Sequence, residues 1–261
     1  IQRSSNAIKM LRFFYEDFPN LHVIAAGSLL DVFIEKEGYS FPVGRVEFMY
    51  LHPITFNEYL LSTGKTNWID ALKNIDFSKT INKELHNIYL NKFKEYSTVG
   101  GIAEVVWNYI QHQSFLEIQP IYESLITTYE EDIDKYSNRA KSKYIKYAFL
   151  EAPYYAGKRI LYSKYGESSF KSHDISLALS VLEEAMVLKR IYGTSSLKKP
   201  LIENYKAAPK LIYLDMGLIL YQLKSMETYL KTNDLSSLFA GAFAEQITAQ
   251  EIIGLYRTQK Y

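Results

Sequence analysis

Two short runs constrain the fold of this chain more than anything else in it: residues 21–26 (LHVIAA) and residues 46–51 (VEFMYL). Pro19-Asn20 precedes the first and Gly27-Ser28 ends it, while the stretch before the second closes with Pro42-Val43-Gly44-Arg45. Runs this apolar and this short predict strands buried on both faces of a parallel sheet. A helix over residues 6–17 leads into the first run, capped by Ser4 or Ser5, with Ile8, Leu11, Phe14 and Phe18 at helical spacing.

Beyond the second run the pattern turns helical. Thr55-Phe56-Asn57-Glu58 matches a capping box, so a helix is expected over residues 56–61. From Ser78 the residues Ile81, Leu85, Ile88, Tyr89, Phe93 and Tyr96 share one face until Gly100-Gly101 breaks the pattern. Further helices are expected near residues 102–111 and 118–132.

The 261 residues carry a net charge of only +1, but unevenly. Residues 135–210 hold 15 Lys or Arg against six Asp or Glu, a sum of +9, which leaves −8 for the remainder. Such a segment suits either contact with a polyanion or a solvated basic face. Within it, helices are expected near residues 140–150 and 173–186, the second capped by Ser172 and burying Ile175, Ala178, Leu179, Leu182 and Met186. Two strands, 187–192 and 211–214, flank a loop with Lys198, Lys199 and Pro200. Helices followed by a basic hairpin are the layout of a winged helix-turn-helix, which implicates Lys171, His173, Lys198 and Lys199 in duplex DNA binding.

Other chemistry is poorly supported. There is no cysteine, so disulfides and thiolate metal sites are excluded, and a reducing, cytoplasmic setting is expected. No apolar run reaches the roughly 20 residues of a spanning helix, so no membrane partner is expected. His22, His52, His86, His112 and His173 lack metal-ligand spacing. Gly64-Lys65-Thr66 mimics the end of a phosphate-binding loop, but the first glycine of that loop would fall on Tyr59 and a capped helix precedes it.

Four stretches, residues 23–30 (VIAAGSLL), 42–59 (PVGRVEFMYLHPITFNEY), 96–105 (YSTVGGIAEV) and 209–220 (PKLIYLDMGLIL), together resemble bacterial and archaeal AAA-type P-loop ATPases. In that family a helical and winged-helix domain follows the ATPase core, and a nuclease-like module follows that. Ile1-Gln2 matches the end of the family's Asp-Glu-Ile-Gln Walker B strand, so the resemblance implies a fragment that starts just after Walker B and stops within the last module. It also implies ATP and Mg²⁺ in the parent protein, with none bound by this fragment alone.

By the same resemblance, Gly27 and Ser28 take the nucleotide-sensing position and Arg45 that of a phosphate-sensing or finger arginine. The expected fold is an α/β remnant of a P-loop ATPase core with a parallel sheet, followed by a mainly α region with a winged helix-turn-helix. The expected divisions are a core remnant (1–62), a helical lid or linker (63–134), a winged-helix domain (135–230) and the start of a last module (231–261). The expected role is coupling of ATP state to DNA or protein binding. The rival is an interaction module whose winged helix packs only against protein.

Overall fold

A computed structural model describes residues 5–27, 44–76, 78–137, 139–167, 169–232 and 241–256. Helices dominate: α1 (Ser5–Asp17), α2 (Phe56–Ser62), α3 (Thr66–Lys73), α4 (Lys83–Val99), α5 (Ala103–His112), α6 (Phe115–Tyr136), α7 (Arg139–Tyr155), α8 (Ser172–Glu184), α9 (Met216–Gln222), α10 (Met226–Lys231) and α11 (Ala242–Leu255). The two strands among the described residues, β1 (Leu188–Ile191) and β2 (Lys210–Tyr213), pair antiparallel with Leu188 opposite Tyr213.

Local chemistry sets the helix ends. The Thr55 hydroxyl accepts from the Glu58 amide, and the Glu58 carboxylate accepts from the Thr55 amide at 2.8 Å, a complete capping box for α2. Asn82 accepts from the Glu84 and Leu85 amides to start α4. Gly100 stops α4 at φ +78°, a region that side-chain-bearing residues avoid. Asp215 caps α9 by accepting from the Leu218 amide.

The core is one cluster that runs from Tyr59, Tyr96 and Val99 through Val105, Ile118 and Tyr122 to Phe149, Leu179, Leu211 and Leu218. In α8, Ile175, Ala178, Leu179 and Leu182 are buried at the spacing expected of one helical face. The helix ends at Glu184, and Met186 follows at φ +59°. The face expected from Ser78 onward holds only in part: Phe93 packs on the core and Tyr96 lies within it, but Leu85 and Ile88 are exposed.

The expected parallel sheet is corrected. Residues 21–26 and 46–51 form no strand, and the only sheet among the described residues is the antiparallel pair β1–β2. Ile24 is 97% exposed, Met49 81% and Leu51 93%. A strand gains its stability from neighbours that complete the ladder and from cover on both faces. The described residues offer these runs neither. Apolar character alone therefore did not make them strands, and the chain is mainly helical rather than an α/β remnant.

Candidate nucleic-acid interface

Three of the four stretches that carry the family resemblance, residues 42–59, 96–105 and 209–220, meet at a buried polar hub. Asp215, fully buried, accepts from the Gly101 amide at 2.6 Å, the Leu218 amide at 3.0 Å and the Gln250 side-chain amide at 3.2 Å. Gly101 also receives the Ile54 amide on its carbonyl at 2.8 Å, which brings in the segment before α2. A side chain at Gly100 would collide with the Asp215 carboxylate and the Tyr122 hydroxyl, so the double glycine admits this close approach.

Helix α11 completes the hub by satisfying backbone groups with side chains. Gln246 pairs with both the amide and the carbonyl of Tyr213 at 2.8 Å, and Gln250 accepts from the Met216 amide at 2.9 Å. Glu251 accepts from the Phe56 amide at 3.0 Å and lies 2.6 Å from the Tyr96 hydroxyl. Burial pushes the Asp215 carboxyl above its ordinary range, against the pull of the Gly101 and Leu218 amides. Burial raises Glu251 as well, against the Tyr96 hydroxyl and the Phe56 amide. Asp215, Gln246 and Gln250 are all sealed from solvent. The hub therefore fixes architecture and cannot meet a substrate.

Of the residues expected at a nucleotide, Gly27 and Arg45 are described. Gly27 is exposed, and Ser28 lies outside the described residues. Arg45 pairs through Nε with Glu16 of α1 at 2.9 Å. Glu16, held foremost by Arg12 and then by Arg45, has its carboxyl below the usual range. At Gly64-Lys65-Thr66 the triplet joins α2 to α3, and the Lys65 ammonium sits 5.5 Å from the centre of the Trp68 ring. These side chains do not fit a triphosphate cradle, which needs consecutive amides at a helix start after a strand. Among the described residues no group of His, Asp and Glu could hold a metal ion.

The basic third is better organised. After α7, Arg159 forms a bridge with Lys210 on the side of β2 away from β1. The Gly157 amide donates to the Leu211 carbonyl and the Leu211 amide to the Lys158 carbonyl. A 3-10 turn (Tyr162–Lys164) then leads through Lys171 to α8, β1, a long loop and β2. The unit is thus helix, bridge, turn, helix, hairpin.

Arg190 locks the hairpin to α8. Its amide and Nε both donate to the Glu183 carboxylate at 2.9 Å, and its other nitrogens reach Ser180 at 2.8 Å and Tyr162 at 3.1 Å. Lys171 and His173, at the start of α8, are exposed, and so are Lys198 and Lys199 in the loop. Lys158 and Lys164 are exposed as well, and Arg159 donates to the Ala208 carbonyl at 3.0 Å.

Residues 90–229 match the family described as Domain of unknown function (DUF8612), over more than half of the chain. The chain belongs to this family. No curated protein and no solved structure matches it. The DUF8612 match takes in Gly101 and Asp215 of the hub and the whole helix–hairpin unit, but neither Arg45 nor α11.

Sequence reading missed the Arg190–Glu183 lock, which pairs residues seven apart across a helix end, and the apolar loop residues Leu197, Leu201 and Ile202. The loop residues had a visible signal: aliphatic side chains set among Ser, Lys and Pro in a segment expected to be polar.

Proposed function

We propose that the helix–hairpin unit is a winged helix that binds duplex DNA through its phosphates, without reading sequence, as the DNA-binding part of an AAA-type ATP-dependent protein. The observation that carries this reading is where the cations lie. Lys171 and His173 flank the start of α8, Lys198 and Lys199 occupy the loop between the strands, and all four are exposed. In a winged helix these are the positions that face DNA: the start of the second helix of the helix-turn-helix, and the wing.

Helix α8 argues against base reading. Its sequence SHDISLALSVLEE contains no Arg, Lys, Asn or Gln, the residues that make bidentate contacts to guanine and adenine edges. The ATP and Mg²⁺ implied by the family resemblance belong to the parent protein, and a partly exposed ion pair such as Arg45 with Glu16 is weak enough to exchange for a phosphate. No helix among the described residues is long and apolar enough to cross a membrane. With a cysteine-free chain this supports a cytoplasmic setting. The exposed Leu177 on α8 favours the second reading, in which the same face packs against protein.

Binding to unrelated duplexes across a salt series tests the proposal. The slope of log affinity against log salt should be about −0.9 per phosphate neutralised, and Lys198→Glu with Lys199→Glu should make it shallower by about 2 on every sequence. Absence of binding at about 50 mM salt, or binding indifferent to salt, refutes the DNA reading and favours the protein-packing one.

A further inference from the structure

The loop between β1 and β2 has a second chemical character that phosphate contact does not use. Leu197 is 90% exposed, Ile202 74% and Leu201 59%, and they flank Lys198 and Lys199. Every residue from 193 to 206 is exposed. Branched aliphatic side chains held this far out of any core forgo their burial, so a partner surface that covers them is favoured.

The loop is held in shape. A bridge between Thr194 and Glu203 and a 2.8 Å bond from the Asn204 amide to the Gly193 carbonyl continue the hairpin beyond its strands. The Tyr192 and Tyr205 rings meet edge to face, 4.8 Å between centres, and the Tyr192 hydroxyl lies 3.1 Å from that of Tyr162. At the tip, the Thr194 hydroxyl lies 2.9 Å from the Ser196 carbonyl, and the Ser196 hydroxyl accepts from the Lys198 amide at 3.1 Å. The base of the hairpin is clamped to α8 by Arg190 and Glu183. The result is an ordered arm whose tip sets two adjacent lysines between Leu197 on one side and Leu201 and Ile202 on the other.

We propose that this tip is a wedge for the DNA minor groove. Lys198 and Lys199 would sit on the phosphates that border the groove, and Leu197 with Ile202 would press between base pairs and unstack a step. The charge of the tip selects the partner. It carries two lysines, and the nearest acid in sequence, Glu203, is hydrogen-bonded by the Tyr205 hydroxyl. Apolar side chains pressed between base steps are how proteins kink duplexes by about 20–90° toward the major groove, at flexible pyrimidine–purine steps above all. The inference rests on the DNA reading and adds to it deformation without base-specific contacts.

The test measures end-to-end energy transfer across an A·T-rich duplex of about 30 base pairs, with binding followed in parallel. The unaltered chain should shorten the end-to-end distance on binding. The Leu197→Ala/Ile202→Ala variant should bind with an unchanged salt slope and an affinity within about fivefold, and should leave the duplex straight. These positions lie outside the core, so circular dichroism should show the variant folded. If the unaltered chain binds without bending, or the variant bends DNA equally well, the wedge is wrong while the phosphate-contact reading stands. If the unaltered chain shows no salt-dependent binding, that reading fails first. Capture on phosphatidylserine vesicles that the variant loses, with no bend in DNA, assigns the tip to lipid and overturns the proposal.

Discussion

Asp215 holds together parts of the chain far apart in sequence, since its donors come from Gly101, Leu218 and Gln250. Its carboxyl is fully buried and pushed above the ordinary value of 3.8, burial being the largest cause. A group whose folded pKa is raised gives its full stabilisation below the unfolded pKa and loses it as pH climbs through the folded one. Asp215→Asn keeps one acceptor oxygen but turns an amide donor toward a backbone N–H. That should cost about 1–3 kcal/mol at acidic pH. Because the aspartate alone loses stability with rising pH, the gap between unaltered chain and variant should narrow from about pH 4 upward. Urea melts of both proteins across a pH series measure that gap, and a gap that widens instead would mean the ionised form is preferred in the fold.

Arg190 acts at the scale of elements, since one guanidinium fixes β1 against α8 and so orients the whole hairpin. Its side chain and that of Glu183 are both largely buried, and the two lie 2.8 Å apart. Arg190→Ala would strand the Glu183 carboxylate and should cost about 3–5 kcal/mol. The double variant Arg190→Met/Glu183→Gln, which leaves no lone charge, should recover most of the loss in thermal melts. Equal losses in single and double variants would mean the pair contributes packing rather than charge compensation. Helix α8 was legible in the sequence because Ile175, Ala178, Leu179 and Leu182 obey its period, and the α2 start was legible because Thr55 and Glu58 cap each other. Residues 21–26 and 46–51 were misread because local apolarity says nothing about whether neighbouring strands exist. Leu85 and Ile88 misled for a related reason: the helical period was real, but only the later turns of α4 found a core. At the candidate interface, the excess of lysines could be read from composition. The hub could not, because its partners Gly101, Asp215 and Gln250 lie more than a hundred residues or several elements apart.

At the scale of the molecule, the helical body closes on itself around the hub, whereas residues 21–26 and 46–51 stay outside its core. Ile24, Met49 and Leu51 stand nearly bare, and Leu21, Val23 and Phe48 are exposed beside them. They form no strand among the described residues, and the apolar surface that they expose is of the kind that recruits another chain. The chain in isolation should therefore bind an amphiphilic dye such as anilinonaphthalene sulfonate and should elute at a size that grows with concentration. The triple change Ile24→Lys, Met49→Lys and Leu51→Lys removes the three barest apolar side chains of these segments without touching the core. It should weaken dye binding and give a single monomeric species, with the melting midpoint of the helical body moving by no more than about 2–4 °C. Light scattering coupled to size exclusion distinguishes the outcomes. An unaltered chain that stays monomeric and dye-silent at high concentration would mean that these segments fold onto the body in solution and need no partner. A triple variant that melts far earlier would place them inside the cooperative unit, contrary to their exposure.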